Sequence, residues 1–149
     1  MNTVQINEIL ENDKISKNDF IGVYSRDKIP KFTKKDFPCS LVVNTDTSKQ
    51  PGTHWLAVYY DKNGNCYFFD SMAFSPQFYN LDNVLLKHAK SLVYSTFPIQ
   101  SYYSDFCGLY CVLFILFKSR DYSLDNFLNF FDENTLKNDR KILYLISKF

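Results

Sequence analysis

Several features that would point to particular partners are scarce in this chain of 149 residues. Basic and acidic residues nearly balance, 17 against 16, which leaves a formal net charge of +1. Because cationic contacts to phosphate supply most of the non-specific affinity for DNA, strong DNA binding is not expected. The apolar run from Leu109 to Phe117 is too short to cross a bilayer, so no membrane partner is expected either.

Internal repeats, low-complexity tracts and linkers are also missing, and a 46% hydrophobic content can build a substantial core. We therefore predict a single domain over residues 1–149. The segment from Met1 to Ile6 lacks the charged and apolar regions of a secretory signal. Four cysteines without such a leader favour free thiols in a reducing compartment, so we expect an intracellular protein that is not secreted.

The most informative residue is Cys107, which lies where a polar segment changes abruptly into the apolar run. A buried helix is predicted from Cys107 to Lys118. The first turn of a helix has unpaired N–H groups and a partial positive charge, which favour a thiolate. The adjacent Gly108 would leave room for a substrate backbone. A lone cysteine at the head of an apolar helix is more often a core residue, so the nucleophile hypothesis needs partner groups elsewhere.

The chain has only two histidines, His54 and His88, that could act as a base. His88 follows helical spacing and is interpreted as a helix-surface or boundary residue with no chemical role. His54 begins a predicted strand, His54–Tyr60, and an Asp-Lys-Asn-Gly turn signal separates it from a second strand, Cys66–Asp70. An antiparallel hairpin would make His54 and Asp70 cross-strand neighbours, so that the carboxylate could orient the imidazole.

The pattern of the whole chain predicts an α+β domain with a central mixed β-sheet flanked by helices. The predicted strands are Leu41–Asn44, His54–Tyr60, Cys66–Asp70 and Ser91–Phe97. The predicted helices are Val4–Leu10, Phe78–Lys90, Cys107–Lys118, Leu124–Phe131 with Ser123 as its N-cap, and Leu136–Lys148.

Taken in this order, the motifs resemble those of the adenain family, the adenovirus maturation proteases, in the clan that includes the SUMO-deconjugating enzymes. The segment Gly52-Thr-His-Trp-Leu-Ala57 resembles the histidine motif of that family, and Cys66–Asp70 resembles its acidic strand. Cys107-Gly-Leu-Tyr-Cys is similar to the nucleophile helix, which Gln100 precedes by the family's interval. The resemblance implies a papain-like thiol protease core.

This resemblance implies a thiol endopeptidase in which Cys107 attacks the scissile carbonyl, His54 transfers the proton and Asp70 orients His54. Gln100 would donate an N–H to the oxyanion hole, together with the backbone N–H of Cys107. The substrate-binding residues would be Trp55, Gly52 and Gly108, with core packing as the alternative role of Trp55. No metal or other cofactor is implied.

Members of the family favour small residues at the cleavage site, commonly Gly-Gly or Gly-Xaa-Gly. The expected partner is therefore a polypeptide with a Gly-containing site, such as a structural precursor encoded by a virus or transposon. The expected location is the host cytoplasm or nucleus, or the virion. Two alternatives stay open, namely a deconjugating protease acting on the Gly-Gly tail of a ubiquitin-like modifier and a catalytically inactive binding module.

Two departures from the family pattern are visible. Adenain has Glu where this chain has Asp70, which is the shorter acid of the SUMO proteases. Adenain is also activated by a viral peptide through an intermolecular disulfide, and the corresponding segment Lys87–Lys90 contains no cysteine. Any activating peptide is therefore expected to bind noncovalently, with Ser91–Phe97 as the docking strand if that strand is an exposed sheet edge.

Overall fold

A five-stranded sheet forms the centre of the molecule in a computed structural model that describes residues 1–149. Its strands lie in sequence order, with parallel pairing at the two edges and antiparallel pairing in the middle. The sheet is therefore mixed, as predicted. The strands are β1 (Phe20–Ser25), β2 (Cys39–Asn44), β3 (Trp55–Tyr60), β4 (Asn65–Phe69) and β5 (Ser91–Tyr94).

Five α-helices flank the sheet, and short 3-10 turns occur at Ser16–Asn18, Lys34–Asp36 and Pro76–Tyr79. The helices are α1 (Thr3–Asn12), α2 (Asp82–Leu86), α3 (Cys107–Lys118), α4 (Leu124–Leu128) and α5 (Thr135–Ile146). The predicted N-cap Ser123 accepts a hydrogen bond from the backbone N–H of Asn126, which confirms the start of α4. None of the helices combines the length and the apolar character that crossing a membrane requires.

Alternate residues of the middle strands face two separate hydrophobic cores, as the two-residue period of a strand requires. Tyr59 and Phe69 face the larger core, in which α3 packs against β3 and is surrounded by α1, α4 and α5. Leu56 and Val58 face the smaller core, which α2 covers. Because α3 is buried on all sides, it is apolar all round, and its first residue lies beside the start of β3.

The predicted helix Phe78–Lys90 is wrong in its extent. Pro76 starts a single 3-10 turn, and Asn80 then adopts a left-handed conformation with φ of 56°, which no helix can continue through. The α-helix that follows is only α2. The helical spacing that indicated one long element therefore arises from two short ones that cover the same core.

Two other differences concern the edges of the sheet. β1 was not predicted from the sequence; it is a half-buried strand that is interrupted by Gly22 at a positive φ of 130°. The predicted strand Ser91–Phe97 ends at Tyr94, because Tyr94 pairs with Phe68 and β4 ends one residue further on. The remaining helices begin and end within three residues of the prediction.

Candidate active site

The β3–β4 hairpin brings His54 and Asp70 together at one end of the sheet. Ala57 pairs with Phe69, so that His54 lies just before β3 and Asp70 just after β4. His54 Nε2 lies 2.7 Å from Asp70 Oδ1. The predicted cross-strand contact is therefore present, although the two residues are offset along the ladder and not directly opposite.

Asp70 is a carboxylate with a fully buried side chain and a complete set of donors. Oδ1 accepts hydrogen bonds from His54 and from the backbone N–H of Met72 at 2.9 Å. Oδ2 accepts one from the backbone N–H of Phe74 at 3.2 Å and one from the Tyr79 hydroxyl at 2.7 Å. Because each of the two Asp70 oxygens accepts two hydrogen bonds, the carboxylate is held in one orientation toward the imidazole.

Cys107 is the first residue of α3, and it lies close enough to the His54 ring for each group to shift the pKa of the other. Since Asp70 occupies Nε2, the nitrogen available to the sulfur is Nδ1. No side chain caps this helix, so its first N–H groups stay available. Burial works against the thiolate, but His54 and the backbone N–H groups of Trp55 and Gly108 outweigh it and lower the pKa of Cys107.

The pKa of His54 is shifted in the direction opposite to that of Cys107. Burial disfavours the imidazolium, but the hydrogen bond with Asp70 and the pairing with Cys107 outweigh burial and raise its pKa from 6.5 to about 9. The lowered pKa of Cys107 and the raised pKa of His54 favour the same state, a thiolate beside an imidazolium. That ion pair is the form in which a cysteine attacks a carbonyl at neutral pH.

Gln100 lies in the loop before α3 and is almost fully buried. Its amide oxygen accepts a hydrogen bond from the Ser71 hydroxyl at 2.5 Å. Its amide nitrogen donates to the Ser104 carbonyl at 2.8 Å, which leaves the second N–H of the amide for another acceptor. Gln100 and Cys107 line the same cleft, so this donor is in the region where an oxyanion would form.

That cleft has a volume of about 430 Å³ and is open to solvent. Two of the three predicted substrate-binding residues, Gly52 and Trp55, line it with His54, Gln100 and Cys107. Trp55 also donates a hydrogen bond from Nε1 to the backbone carbonyl of Met1 at 3.1 Å. It is therefore held against the N-terminal residue and at the same time forms one wall of the cleft.

The two glycines differ in what surrounds them. Gly52 has a φ of 86°, and a Cβ there would lie 2.9 Å from Asn44 Nδ2, so both backbone and space require glycine. A Cβ on Gly108 would lie 3.0 Å from Met1 Cβ and 3.2 Å from Trp55 Cδ1. Gly108 therefore allows α3 to pack closely under Trp55, and its contact with substrate stays a prediction.

The other cysteines and the second histidine do not line the cleft. Burial raises the pKa of Cys39 and of Cys66 to about 12 and that of Cys111 well above its usual value. His88 lies near Phe32, with ring centroids 6.4 Å apart. No group of three or more His, Cys, Asp or Glu side chains is arranged to hold a metal ion.

Several residues of the site were not identified from the sequence. Tyr79 reaches Asp70 from the 3-10 turn nine residues further on, and Ser71 reaches Gln100 across 29 residues. The remaining residues that line the cleft are Met1, Thr53, Met72, Tyr102, Ser104 and Asp105. No periodicity or motif in the sequence marks these contacts, because each depends on how separate loops pack. The only available signal was the position of Ser71 next to Asp70.

Known proteins are similar to this chain in sequence. The profile of the family described as adenovirus endoprotease matches residues 20–136. The protease of porcine adenovirus A serotype 3 is 33% identical over an alignment of 111 residues, and the match covers 64% of this chain and 54% of that protein. The protease of bovine adenovirus 2 is 34% identical over an alignment of 109 residues, and the match covers 64% of this chain and 53% of that protein. The chain thus spans about half the length of the curated relatives it matches.

Solved structures share the fold. The crystal structure of an ASFV protease matches with a TM-score of 0.65 and 20% sequence identity. The match covers 97% of this chain and 65% of the ASFV protease chain. A SUMO protease with its catalytic cysteine oxidised to a sulfinic acid matches with a TM-score of 0.51 and 18% sequence identity. The match covers 98% of this chain and 76% of the SUMO protease chain. The α+β fold of these cysteine proteases is therefore the fold described above. Since the family profile extends over the hairpin, Gln100 and Cys107, the chain belongs to the adenovirus endoprotease family.

Proposed function

We propose that residues 1–149 form a single cysteine protease domain that cleaves polypeptides at Gly-containing sites. The observation that carries this proposal is the contact of one imidazole with a buried carboxylate on one side and a thiol of lowered pKa on the other. A histidine that only contributed to packing would not need both a carboxylate and a thiol as partners. A nucleophile and base arranged in this way are what acyl transfer requires.

The proposed reaction proceeds through an acyl-enzyme. The Cys107 thiolate attacks the scissile carbonyl carbon, and the oxyanion that forms accepts hydrogen bonds from Gln100 Nε2 and the backbone N–H of Cys107. The imidazolium of His54 then gives its proton to the leaving amine as the C–N bond breaks. Water, deprotonated by His54, attacks the thioester and releases the carboxylic acid and the thiolate. Asp70 keeps the ring oriented and stabilises its charged form throughout.

The preference for small residues is supported by the burial of the nucleophile. Cys107 is only 8% exposed and lies beside the Trp55 wall of the cleft. The substrate residue that provides the scissile carbonyl must therefore enter a confined region, which glycine does without a side-chain clash. We propose that the substrates are structural precursor proteins of a virus or a transposon, and that the enzyme acts in the host cytoplasm or nucleus, or in the virion.

An activating peptide, if one is used, would bind noncovalently at the edge strand β5. This strand pairs on one side only, with β4, and Val93 on it is exposed. An extended peptide could add a strand there by main-chain hydrogen bonds. The near-neutral charge supports turnover without strong DNA stimulation, so duplex DNA titrated at low salt should raise the rate less than tenfold.

The proposal is tested by incubating the protein with a peptide library under reducing conditions and identifying the cut sites by mass spectrometry. We expect cleavage after glycine with the wild-type protein and none with Cys107→Ala. A parallel incubation with ubiquitin and SUMO fusions separates the alternatives, because cleavage of these fusions alone would assign a deconjugating protease. Cleavage of neither substrate class, with Cys107 no more reactive than an ordinary thiol, would assign an inactive binding module.

A further inference from the structure

We infer that Ser71 is a positioning residue that holds the Gln100 amide in the orientation needed to donate to the oxyanion, an inference that rests on the proposed function. Ser71 directly follows Asp70, and its side chain is completely buried. Its hydroxyl donates to Gln100 Oε1 at 2.5 Å. One turn after β4 therefore orients both the base, through Asp70, and the oxyanion donor, through Ser71.

The hydrogen-bond inventory of the Gln100 amide explains why an orienting group is needed. An amide presents an oxygen and an NH2 group of similar size, and only the NH2 group can stabilise an oxyanion. The Ser104 carbonyl can only accept, so it requires the nitrogen on its side. The Ser71 hydroxyl satisfies the oxygen on the other side. With both partners in place, the second N–H of Nε2 has a fixed direction.

The backbone of Ser71 separates this effect from a general role in folding. The Ser71 carbonyl accepts hydrogen bonds from the backbone N–H groups of Ile99 at 2.9 Å and Gln100 at 3.2 Å. These bonds tie the Gln100 loop to the end of β4, and they do not involve the hydroxyl. From the other side, Asn138 Nδ2 on α5 donates to the Ile99 carbonyl at 2.9 Å. Removing the hydroxyl should therefore leave the loop in place and release only the amide.

Removing the hydroxyl would leave Gln100 Oε1 buried without a donor, a condition that native structures avoid. The amide would keep only the bond to the Ser104 carbonyl and would fluctuate about it, so the N–H aimed at the oxyanion would lose its fixed direction. A donor that must be reoriented during the reaction stabilises the oxyanion less than a preorganised one. We therefore expect Ser71→Ala to lower kcat about tenfold with KM little changed, compared with about 10²–10³ for loss of an oxyanion donor in Gln100→Ala.

The decisive measurement is a double-mutant cycle with a peptide cleaved by the wild-type protein. If Ser71 acts through Gln100, Ser71→Ala lowers kcat in the wild-type background and has no further effect in Gln100→Ala. Equal losses in both backgrounds, or no loss in either, would overturn the inference. The matched control is Ser40→Ala, which removes a buried serine hydroxyl that has no hydrogen-bond partner and should leave kcat unchanged.

Two further readouts keep the inference separate from the proposed function. Alkylation of Cys107 by iodoacetamide depends on the thiolate and not on the oxyanion hole, so its rate should be unchanged in Ser71→Ala. The chain has four glutamines, so selective ¹⁵N labelling gives four side-chain amide pairs, and Gln100→Ala assigns one of them. In the wild type the Gln100 amide protons should exchange slowly with solvent, and in Ser71→Ala they should exchange faster.

The amide measurement needs no substrate. If no peptide is cleaved but the Gln100 amide is held by Ser71, the proposed function fails and the positioning contact stands. If peptides are cleaved but the amide exchanges equally in both proteins, or rapidly in the wild type, the inference about Ser71 fails and the protease stands.

Discussion

Asp70→Asn tests the electrostatic basis of the proposed nucleophile most directly, because it keeps the shape of the side chain and removes its charge. The amide nitrogen can replace Oδ2, which accepts from Phe74 N–H at 3.2 Å and from the Tyr79 hydroxyl. That hydroxyl can turn and accept from the new NH2 group. The amide oxygen would then keep the partners of Oδ1, His54 and Met72. The losses are therefore the negative charge beside the imidazole and, at 3.2 Å, the acceptor for the Phe74 N–H.

The size of that loss follows from the pKa of His54. A rise from 6.5 to about 9 corresponds to about 3 kcal/mol of preference for the imidazolium, which Asp70 and Cys107 supply together, so this figure is the upper bound for Asp70. Without the carboxylate, burial lowers the His54 pKa again. Proton transfer from Cys107 to His54 then shifts toward the neutral pair by up to about 10²-fold, since each 1.4 kcal/mol is a factor of ten. We expect the thiolate fraction at pH 7 to fall about tenfold to a hundredfold.

The assay is the rate at which iodoacetamide alkylates Cys107 at pH 7, followed by mass spectrometry. The matched control is Asp61→Asn at the opposite end of the same hairpin, where the carboxylate accepts from the backbone N–H groups of Asn63 and Asn65. It loses the same charge and should alkylate at the wild-type rate. A wild-type rate in a folded Asp70→Asn protein would refute the proposed thiolate–imidazolium pair.

Three further predictions follow from the same geometry. The rate kcat/KM should be bell-shaped in pH: the thiolate is lost as pH falls through the lowered pKa of Cys107, and the proton of His54 is lost as pH rises through about 9. A rate that still increases at pH 10 would contradict this. In the native protein, iodoacetamide at pH 7.5 should label Cys107 long before the three cysteines whose pKa is raised, Cys39, Cys66 and Cys111. Peptide mapping that finds equal labelling of all four cysteines would contradict the activation of Cys107. Gly52→Ala should lower the free energy of unfolding by about 1–3 kcal/mol, since it forces a left-handed residue against Asn44. Urea titration measures this loss, and an unchanged midpoint would show that the cleft rim can relax.

Much of the site was predictable because its signals are local. The turn between β3 and β4 determines a hairpin, and a hairpin brings its two ends together, so His54 and Asp70 had to be neighbours. The change from polar to apolar residues at Cys107 marks the start of a helix, which the structure places at that residue. Local signals failed where a single residue interrupts a periodic pattern. Asn80 divides the predicted long helix in this way.

The sequence by itself thus determined the hairpin, the nucleophile helix, the mixed α+β architecture and the residue types available for chemistry. Only the tertiary structure decided that α3 packs against β3 so that Cys107 meets His54, 53 residues apart in sequence. The contact between Ser71 and Gln100 and the opposite pKa shifts of Cys107 and His54 also depend on that packing. The physical reason is the separation along the chain over which each effect acts. Turn chemistry and hydrophobic periodicity act over a few residues, whereas desolvation and hydrogen bonds between loops exist only once the sheet and helices have enclosed them.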